Sequence, residues 1–409
     1  MLINRKKEVV AVSYYFWKHM KQILPKLKQI NKHLSFAKKC FTKGGFRHTV
    51  NYIDGLITIN KKTIRQISKA SIDEKDHCAI DRLLREAKFD IKKLEDRYLL
   101  KVNYFTKGHY TTLILDDTLN EKEGKKVEQT KRHKDHSSNS FITGHQFFTS
   151  IIHTPFLQLP LFPKLYSDET ESKIQMAKDT IDKVMFSLSI DCVIFDSWYS
   201  DKKIINKCLA KGIKVVCGIK TNRNISLKRG EWKKLSSFSK SVPKKKLENY
   251  WIDEIKYKIA DYKVKLNGIP MVKMLVSHEY NEKNEKFNKA FHLISTDRND
   301  NPCLIIRQYR IRWSIEVFHR DIKQNLGFAG YYLQKGEGIV RHSIFVTLAY
   351  AVLKLFMFFR GLKMTIGECC AYVQDKEMDE FIREIIEIED KETRIKMFEE
   401  VFIRETAQV

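Results

Sequence analysis

Two short apolar runs in this chain stop in the same way. TTLILDDT, residues 111–118, and IDCVIFD, residues 190–196, favour β-structure and each meets aspartate at its end. A charge directly behind a buried strand is costly unless it is hydrated, paired or bound to a cation. Downstream of the first run, FITGHQFFTSIIH, residues 141–153, predicts one or two more strands, and the polar EKEGKKVEQTKRHKDHSSNS before it is expected as loop. ETESKIQMAKDTIDKVMF, following the N-cap candidate Ser167, predicts a helix; DKKIINKCLAKG predicts another that closes at Gly212, and IKVVCGI a further strand. Strands, helix, strand, helix, strand is the order of a single α/β sheet. Such a sheet would set Asp117 and Asp196 at the carboxyl ends of two strands, where open α/β sheets bind ligands. Taken singly, each aspartate is an ordinary strand-end turn residue.

A third acid sits in YRIRWSIEVFHRDIK, residues 309–323. On one continuous α-helix, with Tyr309 at zero, Arg312 falls near ~300°, Glu316 near ~340° and Lys323 near ~320°, a single face. Ile311, Ile315, Phe318 and Ile322 gather on a separate apolar side that can dock on a core. A lone carboxylate among an aromatic, an Arg and a Lys suits a helix that holds a divalent metal and grips a phosphodiester. The alternative is a surface helix with an Arg312/Glu316 ion pair at i,i+4.

Charge points the same way. The net charge is +25, and residues 1–50 hold 12 Lys or Arg against the single acid Glu8. That excess, mixed with aromatics, suits a helical module that meets a polyanion, above all nucleic acid. Residues 1–105 are expected as this helical basic region, 106–219 as the first part of a catalytic core, 220–290 as a basic β-rich insertion, 291–360 as the second part of the core and 361–409 as an acidic helical region. The insertion opens with ten Lys or Arg against Glu231 over residues 220–246 and continues as alternating strands that turn at Asn267 and Gly268. The tail from Asp375 to Glu405 carries 12 acids against 6 bases and is expected to make a protein contact. The eight cysteines form no CxxC pair and predict reduced thiols in a cytoplasmic protein, and the first residues lack a signal-peptide cleavage site. SIFVTLAYAVLKLFMFF, residues 343–359, is 17 residues long with Lys354 inside it, and predicts a buried core helix rather than a membrane span.

The spacing Y, two residues, R, three residues, E, six residues, K is matched without a gap by Tyr309, Arg312, Glu316 and Lys323. With DDT at 116–118 and FDSWYSD at 195–201, the chain resembles the DDE transposases of bacterial insertion sequences, in the group marked by a Tyr-Arg-Glu-Lys signature, over roughly residues 105–360. The resemblance implies an α/β, ribonuclease H-like catalytic core with a β-rich insertion, preceded by an α-helical DNA-binding region and followed by C-terminal helices. It implies metal-dependent cleavage at the element ends and strand transfer into target DNA, with two Mg²⁺ ions that Mn²⁺ can replace. By carry-over Asp117, Asp196 and Glu316 would be the catalytic metal ligands. Tyr309, Arg312 and Lys323 would hold the phosphates of double-stranded DNA at the terminal inverted repeats. Asp117 is preferred to Asp116 because it directly precedes Thr118; in a strand Asp116 would point to the opposite face. A homodimer in a synaptic complex is expected because two ends must be brought together.

The family also suggests an aromatic that stacks a flipped base, for which Trp232, Trp251 and Trp313 are candidates, while Trp198 is expected to pack. His133 and His136 form an HxxH without cysteine partners at zinc spacing, so solvated or packing histidines are expected there. Two rival functions stay open: a metal-dependent nuclease on the same core, and a catalytically inactive DNA-binding protein derived from a transposase.

Overall fold

A computed structural model of the chain describes residues 27–70, 77–87, 89–122, 124, 126–135, 140–167, 171–228, 230–386 and 392. The first 26 residues of the basic segment and most of the acidic tail lie outside them. Along the chain come helices α1 (Lys43–Thr58), α2 (Ile64–Ala70), α3 (His77–Arg85) and α4 (Ile91–Thr106), then strands β1 (Thr112–Glu121), β2 (Lys131–Asp135) and β3 (Ser140–His153). Next are α5 (Lys173–Ser187), β4 (Cys192–Phe195), α6 (Lys202–Ala210) and β5 (Lys214–Gly218). The long hairpin β6 (Ile255–Leu266) and β7 (Ile269–Asn281) follows, then β8 (Phe291–Ser295), α7 (Pro302–Arg310), α8 (Trp313–Asn325), α9 (Gly336–Arg360) and α10 (Ile366–Ile386).

The chain divides into two compact units. One comprises Met1–Tyr98, Gly124–Glu128 and Asp321–Val409, so helices from both ends of the chain share it. Its centre is α9, on which Phe345, Leu348, Thr347 and Tyr350 are fully buried. The run that is apolar enough to cross a membrane is thus 83% buried within the protein, as expected of a core helix. Its polar groups find partners: His342 Nδ1 lies 2.8 Å from the Tyr52 hydroxyl, and Arg341 donates to the carbonyls of Leu84 and Arg85 at 2.9 and 2.8 Å. Those carbonyls belong to the last turn of α3, which has no intrahelical donors left for them.

The other unit, Leu99–Glu123 and Gln129–Arg320, is built on one mixed sheet. Its strand order is β2-β3-β1-β4-β5-β8-β7-β6, with β1, β4 and β5 parallel and the other neighbours in this path antiparallel. The parallel strands are covered on both faces, which is why LIL, CVIF and VVC read as unbroken apolar runs. Leu113–Leu115 and Cys192–Phe195 are all fully buried. Cys192, Ile194 and Val216 on one face share a cluster with Ile305 and Ile306 of α7. On α7, Asn301 caps the start by accepting from the Leu304 N–H at 2.7 Å, and Pro302 sits where no N–H is needed. The insertion hairpin turns at Asn267 and Gly268 as expected, Gly268 at φ 73°.

Four local expectations change. β1 does not stop at its aspartates but runs on to Glu121, held by its pairing with β3, so Asp116 and Asp117 lie within the strand and not at its carboxyl end. The helix foreseen after Ser167 starts at Lys173, capped by Ser172, whose hydroxyl accepts from the Gln175 N–H at 3.2 Å. The polar stretch expected as loop contains β2, KRHKD, an edge strand whose charges suit an outer position. The 309–323 helix is broken, as described below.

Gly144 on β3 lies so close to β1 that a Cβ there would sit 2.0 Å from the Asn120 carbonyl oxygen. Gly144→Ala is therefore expected to destabilise the protein by about 2–3 kcal/mol, read as a lowered denaturant midpoint. His292 on β8, 6% exposed with Nε2 2.9 Å from the Ser239 hydroxyl, is pushed down to about 4 by burial and then by His278. The unfolded chain therefore takes up this proton first, so stability is lost as pH falls from about 6.5 towards 4, by roughly 2–3 kcal/mol from this group. Denaturant melts across that window should show a shallower loss in His292→Gln.

Candidate active site

β1 is a two-faced strand carrying two adjacent acids. Asp116 Oδ2 accepts from Arg312 Nη1 at 3.1 Å, and both side chains are about four-fifths covered. Arg312 Nη2 also donates to Glu316 Oε1, so one guanidinium bridges two carboxylates. The i,i+4 pair of the alternative reading is thus present, but as part of a three-residue cluster rather than a lone surface contact. Asp117 points elsewhere: its oxygens accept from Gln146 Nε2 at 2.8 Å, Lys173 Nζ at 2.8 Å and the Tyr199 hydroxyl at 3.0 Å.

Asp196 follows β4 directly and folds back on its own turn, Oδ1 accepting from the N–H groups of Trp198 at 2.8 Å and Tyr199 at 3.3 Å. Its charge reaches Asp116. Burial pushes the Asp116 carboxyl up to about 7, Arg312 pulls it down, and the negative charges of Asp196 and Asp117 push it up again. Tyr309 is pushed up to about 12, chiefly by burial, with Arg312 lowering it and Asp196 raising it.

The signature residues do not lie on one helix. α7 ends at Arg310 and α8 begins at Trp313; across the joint, the N–H groups of Ile311, Arg312 and Ile315 bond three residues back, to Gln308, Tyr309 and Arg312, at 3.1, 3.0 and 3.1 Å. This tighter, three-residue winding cancels the 100° arithmetic, yet it leaves Arg312 against Glu316 and within 5.8 Å of the Tyr309 ring. Lys323 is on the last turn of α8, in the other unit. The structure therefore brings together Asp116, Asp196, Tyr309, Arg312 and Glu316, and sets Asp117 among Lys173, Tyr199 and Gln146.

Several partners had no sequence signal. Thr149 lies opposite Asp116 only through the β1–β3 register, and its hydroxyl is 2.7 Å from His319 Nε2 on α8. Nothing in the sequence gave His319 a partner. Gly218, ending β5, makes room for Tyr309: a Cβ there would meet the Tyr309 hydroxyl at 3.2 Å and the Ser197 nitrogen at 3.0 Å. The tryptophans are surface groups, Trp232 45%, Trp251 67% and Trp313 60% exposed. Trp198, expected to pack, is 39% exposed with Lys173 Nζ 3.9 Å above its ring.

Gly218→Ala would push Tyr309 off its seat by a few tenths of an ångström. We expect a drop of about tenfold in any strand cleavage under conditions where the purified variant is still folded, its thermal midpoint measured alongside.

Two family models match the chain. One, described as "Archaeal putative transposase ISC1217", covers residues 165–367, which include Asp196 and the whole Tyr-Arg-Glu-Lys signature. The other, DDE superfamily endonuclease, covers residues 38–230, which include both β1 aspartates. No curated protein sequence matches the chain. Among solved structures, the cryo-EM structure of the piggyBac transposase synaptic complex with hairpin DNA aligns at 12% identity and TM-score 0.47, covering 94% of this chain and 82% of that one. The two family models support a DDE transposase, a nuclease-type enzyme of DNA transposition for which divalent metal dependence is the general rule.

Proposed function

We propose that the protein is a cut-and-paste DNA transposase that cleaves at the ends of an insertion sequence and transfers the freed strands into target DNA. One observation carries the reading: Asp116, within β1 just past the last residue paired with β4, and Asp196, directly after β4, come at the same end of that parallel pairing, with Arg312 joining Asp116 to Glu316. A ribonuclease H-like core is supported by the order of its first five strands. Residues 158–165 pair antiparallel with β3, β3 antiparallel with β1, and β1, β4 and β5 run parallel. Membership of the Tyr-Arg-Glu-Lys group is supported by the ungapped spacing at Tyr309, Arg312, Glu316 and Lys323.

The donor set fits a hard divalent cation, Mg²⁺ or Mn²⁺, since every candidate ligand is a carboxylate oxygen. Among the described residues no three acids, histidines or cysteines converge as a finished cage, but two of the carboxylates already bracket one cation, the Arg312 guanidinium. Asp196, Glu316 and one aspartate of β1 would hold the metal. When bound, two such ions supply activation of a water or a DNA 3′-hydroxyl and stabilisation of the departing oxygen. Arg312, a planar fork, can trade its carboxylate partners for two oxygens of a phosphodiester. Tyr309 buttresses that fork, and the signature would give Lys323 the role of a point charge on phosphate. The basic helical segment would recognise terminal inverted repeats, the basic insertion would follow the duplex, and a homodimer would synapse two ends in the bacterial cytoplasm.

The test is an excision and joining assay with purified protein, Mg²⁺ and a plasmid that carries the DNA flanking this gene. Metal-dependent release and rejoining should fall by on the order of a hundredfold or more in Asp196→Asn and Glu316→Gln. Cleavage without joining would instead make the protein a nuclease, and binding without cleavage an inactive DNA-binding derivative.

A further inference from the structure

Consecutive residues of a strand point to opposite faces, so Asp116 and Asp117 cannot both look into one site. Contacts on four elements sort the two faces. Asp116 is level with Thr149 on β3, and Thr149 is tied to His319 of α8 at 2.7 Å. Arg312, at the α7–α8 joint, reaches the Asp116 carboxylate itself at 3.1 Å. Asp117 is level with Phe148, whose ring meets Tyr199 at 5.9 Å. Lys164, level with the same Phe148, donates to the Met176 carbonyl of α5 at 3.3 Å, and Lys173 at the start of α5 pairs with Asp117 at 2.8 Å. The face of Asp116 therefore belongs to the signature helices and the face of Asp117 to α5.

The second strand repeats the division. β1 and β4 are parallel with Leu115 level with Phe195, and Asp116 and Asp196 are the next residue along each chain. Alternation gives Asp196 the parity of Cys192 and Ile194, and those two pack in the cluster that holds Ile305 and Ile306 of α7. Resting on the transposase reading above, the geometry points to Asp116, rather than the Asp117 that precedes Thr118 in the DDT motif, as the β1 carboxylate of the metal site. Asp117 is then a structural anchor that holds Lys173 and Tyr199 on the far side of the sheet.

The two roles separate by metal affinity. Manganese titration of the full-length chain, followed by electron paramagnetic resonance, should show Asp116→Asn weakening Mn²⁺ binding by about tenfold or more, as loss of a ligating oxygen does. Asp117→Asn should hold that affinity within about threefold and lower the thermal midpoint instead. Asp116→Cys adds an arm that a folding defect cannot imitate. A thiolate favours softer cations, so DNA cleavage by this variant should be restored by Mn²⁺ and not by Mg²⁺, while Asp117→Cys shows no such change of metal preference. Weakened Mn²⁺ binding in Asp117→Asn with unchanged binding in Asp116→Asn would overturn the assignment while leaving the transposase reading intact. Equal loss in both variants would overturn the division of roles. Absence of Mn²⁺ binding in the unmodified protein would remove the metal reading and this assignment with it.

Discussion

Arg312 holds the centre of this structure. A guanidinium between Asp116 and Glu316 neutralises acids that a largely covered site could not otherwise carry, and it ties β1 to the α7–α8 joint. Remove that cation and Asp116, already pushed up to about 7, loses the charge that offsets its burial and the repulsion of Asp196 and Asp117. Asp116 of β1, Glu316 of α8 and the Tyr309 ring of α7 all meet this one group. A group that offsets two carboxylates is also well matched to a phosphodiester, so the same side chain can steady the apo protein and grip a substrate.

The fold was legible where burial is symmetrical. LIL, CVIF and VVC declared their strands because both faces are covered, and the 343–359 run declared a core helix because almost all of it faces protein. Legibility failed where a strand owes its existence to a neighbour. KRHKD has no apolar pattern and is a strand only because it pairs with Ser140–Gly144 along the outer edge of the sheet. Its charged side chains need no apolar partner at that edge, so nothing in the composition marks it.

The signature spacing was legible, and the geometry less so. Tyr309, Arg312 and Glu316 were found by spacing, and they do meet; but the regular helix used to bring them together is not the route by which they do so. Three-residue hydrogen bonds at Ile311 and Arg312 replace α-helical ones, and no side-chain pattern distinguishes the two windings over so short a span. The choice between Asp116 and Asp117 depends on which strand face meets which helix. Register decides that, and register is a property of partners that lie 30 to 80 residues away in the chain. Thr149 and Gly218 were invisible for the same reason.

One strand gives the insertion its standing. β8 pairs along one edge with β5 of the parallel core and along the other with β7 of the insertion hairpin, Leu293, Ile294 and Ser295 serving both. The insertion is therefore no pendant module that could be clipped away at its loops. Excising residues 220–290 would strip β8 of its outer partner and leave an open row of backbone donors and acceptors beside the acidic site. The basic block and the catalytic face are continuous cloth, and a change in length of the one has to be absorbed by the weave of the other.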